Sequence, residues 1–486
     1  MKYRHCLKKA FRILSSVTLF SLAACKSSGE SYAESDIPLV SKALKDKSSI
    51  YYANYSDYPK NLKSLPIGIF DSGTGGLTVL EQFLALDNFN NETGEEIPDG
   101  IPDFEGEEFI YLADQANMPY GVYSAQDKDD FLRELIIKDA LFLTREPNRS
   151  KIAVIACNTA TAFGLNDIVD LLESSKTGVK TIGVINAGVE GALKPISADE
   201  ERFAIGVMAT VGTISSGGYR KSIKSYVAHG DYKGEVRVVS HGGLGFAEAI
   251  DSEPDYICAD AKETRGNYRG PVYGSIDGIK PELLALYNFD YTDNALLIKR
   301  ESDGSIVDIQ LNSTGNYARF HLVSLLNKHR EENPGVKLKS IILGCTHYPY
   351  VIDTLTAVIE ELRDYKEEGV KVFDESMDEA IFFVDPAVNT ARETFKQLYA
   401  ANMINRKHEG NKLEAYISIP HSELPQSALD SIGNLSFDFK YGRELGSDSL
   451  SVRVVPFSTS NINSKNLMRI EERLPLSYSL IKKNLK

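Results

Sequence analysis

The chain predicts an α/β fold with mostly parallel sheets, on three observations. Apolar runs of strand length, rich in Ile, Val and Phe, alternate with longer helical stretches, the signature of βαβ connections. Two of these runs end alike, each in a cysteine followed by small polar residues: Cys157-Asn158-Thr159 and Cys345-Thr346-His347. At 42% hydrophobic and 25% charged residues, the composition suits a large buried core. In such sheets ligands bind beyond the carboxyl ends of the strands, which is where the chemistry-bearing residues fall.

The N-terminus stands apart from this pattern. Lys2, Arg4, Lys8, Lys9 and Arg12 give a basic start without acids, and Ile13 to Ala24 is apolar apart from hydroxyl residues. That stretch is shorter than the ~20 residues that cross a bilayer. Residues 1–24 therefore read as a secretory signal peptide. Leu22-Ala23-Ala24-Cys25 resembles a bacterial lipobox, which implies acylation of Cys25 and an exported, membrane-anchored protein, periplasmic or at the cell surface. An ordinary signal peptide that happens to contain Cys25, or an N-terminal hydrophobic anchor, is the alternative. Residues 25–65 read as a polar tether, with a short helix near Val40–Leu44 as the alternative.

The folded region is expected to begin near Ile67. Candidate strands are Ile67–Phe70, Phe109–Leu112, Ile152–Ala156, Thr181–Ile185, Phe203–Met208, Val236–Val239, Ser340–Leu343 and Ile381–Val384, each a short apolar run. Leu77–Leu86, Phe131–Leu143 and Tyr350–Leu362 carry helical periodicity. Two segments interrupt the alternation. Residues 87–108 are acidic and rich in Asn, Gly and Pro, without EF-hand spacing, and read as a solvated loop. Residues 252–316 are rich in Gly, Asp and Tyr. The catalytic region spans 66–412, and 413–486, with strand-like Ala415–Ile419 and Ser451–Phe457, is either an extension or the completion of the fold.

A net charge of −14 argues against nucleic acid, which needs clustered positive charge. Of five cysteines, Cys6 goes with the signal and Cys25 with the lipid, leaving Cys157, Cys258 and Cys345. An odd number is no disulfide framework. Free thiols in an oxidising compartment call for a function.

Four motifs carry chemistry. In Asp71-Ser72-Gly73-Thr74-Gly75-Gly76-Leu77 a strand ends in Asp-Ser and a glycine-rich turn opens a helix. Asp71 can relay a proton and Ser72 can bond a carboxylate, while Ser72 or Thr74 as a plain helix cap is the bland alternative. The turn matches neither a P-loop nor the dinucleotide spacing. Pro119-Tyr120-Gly121 is a turn able to wrap a small ligand. The two thiol motifs follow. A cysteine at a helix N-terminus is expected to have a lowered pKa, Asn158, Thr159 and Thr346 can hold a carboxylate, and His347 can serve Cys345. Two facing thiols act as base and acid on opposite sides of one carbon. Cys345 and His347 do not match zinc spacing, and no Gly-x-Ser-x-Gly elbow is present.

Together these residues resemble the glutamate racemase family of the aspartate/glutamate racemase superfamily. The likeness is carried by Asp71–Leu80, Pro119-Tyr120-Gly121, Cys157-Asn158-Thr159, the paired-threonine stretch around Thr210 and Thr213, and Gly344–Pro349. It implies two pseudo-symmetric α/β lobes with the active site between them. It also implies cofactor- and metal-independent racemisation of glutamate for cell-wall biogenesis, with Cys157 acting on D-glutamate and Cys345 on L-glutamate. By the same likeness Asp71 supports Cys157, and His347 and Glu248 support Cys345. Ser72, Pro119, Tyr120, Gly121, Asn158, Thr159, Thr210, Thr213 and Thr346 would bind the substrate. The partners implied are a small amino acid, the membrane through Cys25 and, compatibly, a second copy of the chain. A racemase for aspartate or other amino acids and an inactive amino-acid-binding surface lipoprotein stay open.

Overall fold

Two parallel sheets with the same internal strand order build the molecule. The computed structural model describes residues 34–406, 410–430, 433–446, 450–462 and 464–485. The expected signal peptide and the expected lipidation site Cys25 lie outside them. The strands are β1 (Ile67–Asp71), β2 (Glu108–Ala113), β3 (Ile152–Ile155), β4 (Lys180–Gly183), β5 (Arg202–Ala209), β6 (Glu235–Gly242) and β7 (Leu296–Arg300). They continue with β8 (Ile306–Leu311), β9 (Leu338–Gly344), β10 (Lys366–Glu367), β11 (Val370–Lys371), β12 (Met377–Val384), β13 (Lys412–Pro420) and β14 (Val452–Pro456).

The first sheet runs β14-β13-β2-β1-β3-β4 and the second β12-β9-β5-β6. Taken outward from β2 and from β6, the orders β2-β1-β3-β4 and β6-β5-β9-β12 are equivalent, so β3 and β9 hold the same place in their sheets. All pairings in the two sheets are parallel except β13 with β14. β1 and β3 are buried along their whole length, as strands covered on both faces must be. Helices Asp129–Thr144 and Asn158–Ser175 cover one face of the first sheet, and Leu77–Ala85, Pro386–Ala400, Ser464–Arg473 and Pro475–Lys482 the other.

Several expectations change. Within the 25–65 tether the structure shows the short helix given as the alternative. Pro38–Lys45 is a helix whose Leu39, Val40 and Ala43 pack with Ile137, Leu141 and Leu171. Residues 87–108 are more than a solvated loop. Phe89 stacks on Phe395, rings 4.6 Å apart, and buried Asp103 accepts the amides of Asn88 and Phe89. Within 252–316 lies the antiparallel hairpin β7–β8, whose inward side chains join the core of the second lobe. The candidate strand Thr181–Ile185 is shorter, because helix Val184–Leu193 starts inside it. Residues 413–486 complete the first lobe, since β13 pairs in parallel with β2 and would leave that strand an open edge if absent.

Candidate active site

β1 and β3 deliver Asp71 and Cys157 side by side, at the point of the first sheet where the strand order reverses. That is where a doubly wound sheet opens a crevice. Asp71 is buried, and its Oδ2 accepts the amides of Gly73 and Gly76, each at 3.0 Å. The glycine-rich turn therefore closes on the aspartate, and neither Ser72 nor Thr74 caps the following helix. Burial raises the Asp71 pKa against these amide bonds.

Cys157 is the N-cap of helix Asn158–Ser175, and its sulfur accepts the Ala160 amide at 3.4 Å. The thiol donates to Ser72 Oγ at 3.5 Å. The lowered pKa expected of a helix-start cysteine is not found. Burial first, then the charge of Asp71, push it up to about 12, outweighing the Ala160 amide. Cys157 thus rests as a protonated thiol.

β9 delivers Cys345 from the equivalent place in the second sheet. Its sulfur lies 3.7 Å from His347 Nδ1, and Thr346 Oγ1 lies 3.4 Å from the same nitrogen. The far side of the imidazole, Nε2, is 3.2 Å from Asp251 Oδ2. Glu248 was expected, with His347, to support Cys345. It lies close enough to feel the His347 charge, but the bond is made by Asp251, one turn further along, immediately after helix Phe246–Ile250. Burial alone would lower the His347 pKa. The bond to Asp251, then that to Cys345, lift it to about 10.

The two thiol motifs touch. Asn158 Nδ2 donates to the Gly344 carbonyl at 3.3 Å, and Asn158 Oδ1 accepts the Tyr219 hydroxyl at 2.8 Å. Thr159 follows Asn158 in the first turn of the same helix. Thr210 caps the short helix Val211–Ser215 through the Thr213 amide at 3.3 Å, and its hydroxyl bonds that of Thr213 at 3.0 Å. The Pro119–Gly121 turn meets this segment from the other lobe, a Cβ at Gly121 falling 3.8 Å from the Gly212 Cα. The Tyr120 phenol is not free to hold a ligand. It is buried, 2.6 Å from both Asp114 Oδ2 and Asp139 Oδ2, so the turn offers its backbone instead.

A cavity of about 80 Å³ beside Cys345 is lined by Asn158, Thr346, Asp385 and Arg473, among others. Asp385 caps helix Pro386–Ala400, accepting the Ala387 amide at 2.8 Å, and burial raises its pKa to about 6. Asp251, Tyr219, Asp385 and Arg473 were not among the sequence candidates. Of these only Asp385 had a local signal, an acid placed directly before a proline at a helix start.

The site thus holds two thiols that end equivalent strands, each with its own hydrogen-bonding partner. Comparisons with known proteins show what the chain is similar to. No family model matches the chain. Glutamate racemase of Oceanobacillus iheyensis is 35% identical over 158 residues, 32% of this chain and 46% of that protein. That of Cupriavidus pinatubonensis is 32% identical over 212 residues, 44% and 63% of the two chains. The chain therefore spans about half the length of these curated relatives. Glutamate racemase of Clostridium perfringens is 24% identical over 364 residues, covering 75% of this chain and 95% of that one. Among solved structures, a glutamate racemase isoform of Bacillus anthracis aligns at 21% identity and TM-score 0.43, over 73% of this chain and 88% of that one. The Francisella tularensis enzyme in complex with D-glutamate aligns at 19% and 0.40, over 79% and 96%. The curated proteins to which this chain is similar are thus glutamate racemases.

Proposed function

We propose that this protein interconverts L- and D-glutamate with Cys157 and Cys345 as the two proton-transfer groups and without a cofactor. The observation that carries this reading is the equivalence of the two thiols. Each ends the same strand of a like-ordered sheet, and the residues beside them are hydrogen-bonded to one another. In the L-to-D direction the sulfur of Cys345 takes the α-proton and the electron pair of the C–H bond delocalises into the carboxylate. The Cys157 S–H then gives its proton to the opposite face of the carbon. The reverse direction exchanges the roles. The protonated resting state of Cys157 suits it as donor in the first direction. The α-proton is weakly acidic, so the rate must come from holding the carbon between two pre-placed groups and from bonds to the developing carboxylate charge. Ser72, Asn158, Thr159, Thr213 and Thr346 are the polar side chains available for the latter.

The test is α-proton exchange in D₂O on each enantiomer of glutamate and aspartate. Exchange with glutamate, lost in Cys157→Ser and in Cys345→Ser, supports the reading. Exchange confined to aspartate would move the substrate, and ligand binding without exchange would make the protein a binder. The N-terminal pattern supports a second proposal, that the enzyme is exported and anchored through an acyl chain on Cys25. Incorporation of a labelled fatty acid that disappears in Cys25→Ala tests it.

A further inference from the structure

Asp251 is the point where the C-terminal helix reaches the Cys345 half of the site. Helix Ser464–Arg473 presents Arg469 and Arg473 four residues apart, hence on one face. Arg469 Nη1 donates to Asp251 Oδ2, and Arg473 Nη1 donates to Asp251 Oδ1 at 2.6 Å. Arg473 Nη2 also donates to the Ile250 carbonyl at 2.8 Å, and its guanidinium carbon sits 5.2 Å from the centre of the Tyr350 ring, just beyond His347. Directly after this helix, the amides of Leu476 and Ser477 donate to the Glu81 carboxylate at 3.0 and 2.7 Å. Glu81 lies on the helix that follows the Asp71 turn. The segment is thus fastened to both lobes, and Asp251, bound by two guanidinium groups and one imidazole, is held in a single orientation.

We propose that Arg469 and Arg473 are positioning residues for the Cys345 half-reaction, holding Asp251 where it fixes the His347 ring against the Cys345 thiol. The proposal rests on the racemase reading. The groups that face His347 are Cys345 and Thr346 from its own segment and Glu248 and Asp251 from the segment after β6, while the two arginines from the C-terminal helix stand behind Asp251. Cys157 takes its bonds from Ser72 and Ala160 instead, so the effect of the arginines is expected on one thiol only.

The test uses the full chain as Arg469→Gln/Arg473→Gln, beside the double Lys variant. The two enantiomers are equally stable, so kcat/KM must fall equally in both directions, by about tenfold or more for a misplaced proton-transfer group. The isotope effects separate the two thiols. With α-deuterated substrate, the effect on kcat/KM should rise for the enantiomer deprotonated by Cys345 and fall for the other, and the Lys pair should recover part of the rate. A readout independent of activity is alkylation by iodoacetamide, followed at each cysteine by peptide mass spectrometry. It should slow by about threefold or more at Cys345 and stay unchanged at Cys157. Unmoved isotope effects, or equal changes at both thiols, would overturn the proposal. If the wild-type protein exchanges no α-proton while the alkylation difference holds, the positioning role stands and the racemase reading fails. Should the Gln pair not fold, Asp251→Asn must give the same one-sided signature.

Discussion

Asn158 donates its side-chain amide to the Gly344 carbonyl at 3.3 Å, so the residue after one thiol is bonded to the residue before the other. The same side chain accepts from Tyr219, which is buried. Asn158→Ala removes both bonds and leaves the Tyr219 hydroxyl unpaired, a loss of about 1–3 kcal/mol in stability. It also frees the two motifs to shift, and kcat/KM should fall by about 10- to 100-fold. Tyr219→Phe keeps the Gly344 bond and should cost far less activity. Urea melts and racemisation rates of the two variants, measured side by side, check this.

Asp251, and not Glu248, should prove the acid that matters to His347. For Asp251, burial would raise the pKa, but the bond and charge of His347, then Arg469 and Arg473, bring it to about 2. The His347 pKa, raised to about 10 against burial, contributes stability that is complete below the ordinary value near 6.5 and lost as pH rises toward 10. Asp251 contributes stability that is complete above its ordinary value near 3.8 and lost as pH falls toward 2. The pair therefore contributes fully between roughly pH 4 and 6.5. Asp251→Asn should remove both slopes, drop the alkaline limb of the pH–rate profile to lower pH, and reduce kcat by roughly 10²-fold. Glu248→Gln should stay near wild type. Thermal melts and rate profiles from pH 3 to 10 distinguish the two.

What was legible in the sequence is what local pattern encodes. β1 and β3 are buried along their whole length and β9 at every position but Lys339, so their apolar runs have clear ends, and Asp71, Cys157 and Cys345 sit at or just after those ends. Partners drawn from afar were not legible. Asp251 reaches His347 across 96 positions and Arg473 reaches Asp251 across 222, and no periodicity connects such residues. The pull of a helix start on a thiol was legible for Cys157. The burial and the Asp71 charge that overrule it exist only once the lobe is packed. Helix Pro38–Lys45 was legible only as the alternative to a tether, because its buried face is small and packs against the distant Ile137 and Leu171.

A pair of histidines away from the site should make the protein acid-sensitive. His321 Nε2 donates to the Leu244 carbonyl at 3.2 Å, which leaves its Nδ1 to accept from His241 Nε2 at 2.9 Å. Both rings are then neutral, and burial lowers the pKa of His241 to about 4 and holds that of His321 well below its ordinary value. The unfolded chain binds these two protons near pH 6.5 and the native one does not. Their contribution to stability is complete above about pH 6.5 and declines as pH falls toward 4. The melting temperature should drop across that interval. In His241→Asn/His321→Asn the drop should be shallower even if the variant is less stable throughout.

The close approach of Gly76 to Asp71 gives a steric test of the aspartate's place. The backbone at Gly76 has φ −66°, which any residue adopts, so only space is at issue. A Cβ there would lie 2.5 Å from the Asp71 Cβ and 3.0 Å from the Ala156 Cβ, the latter on the residue before Cys157. Gly76→Ala must therefore push Asp71 off the amides that hold it, or separate the Asp71 turn from the Cys157 strand. Overpacking of this kind costs about 1–3 kcal/mol, and racemisation should fall with it because both displaced groups belong to the Cys157 half of the site. Gly75→Ala is the matched comparison, since its Cβ would meet nothing nearer than Asp71 Oδ2 at 3.7 Å. It should leave the unfolding midpoint unchanged. Equal midpoints for the two variants would show that the Gly76 backbone does not press on Asp71.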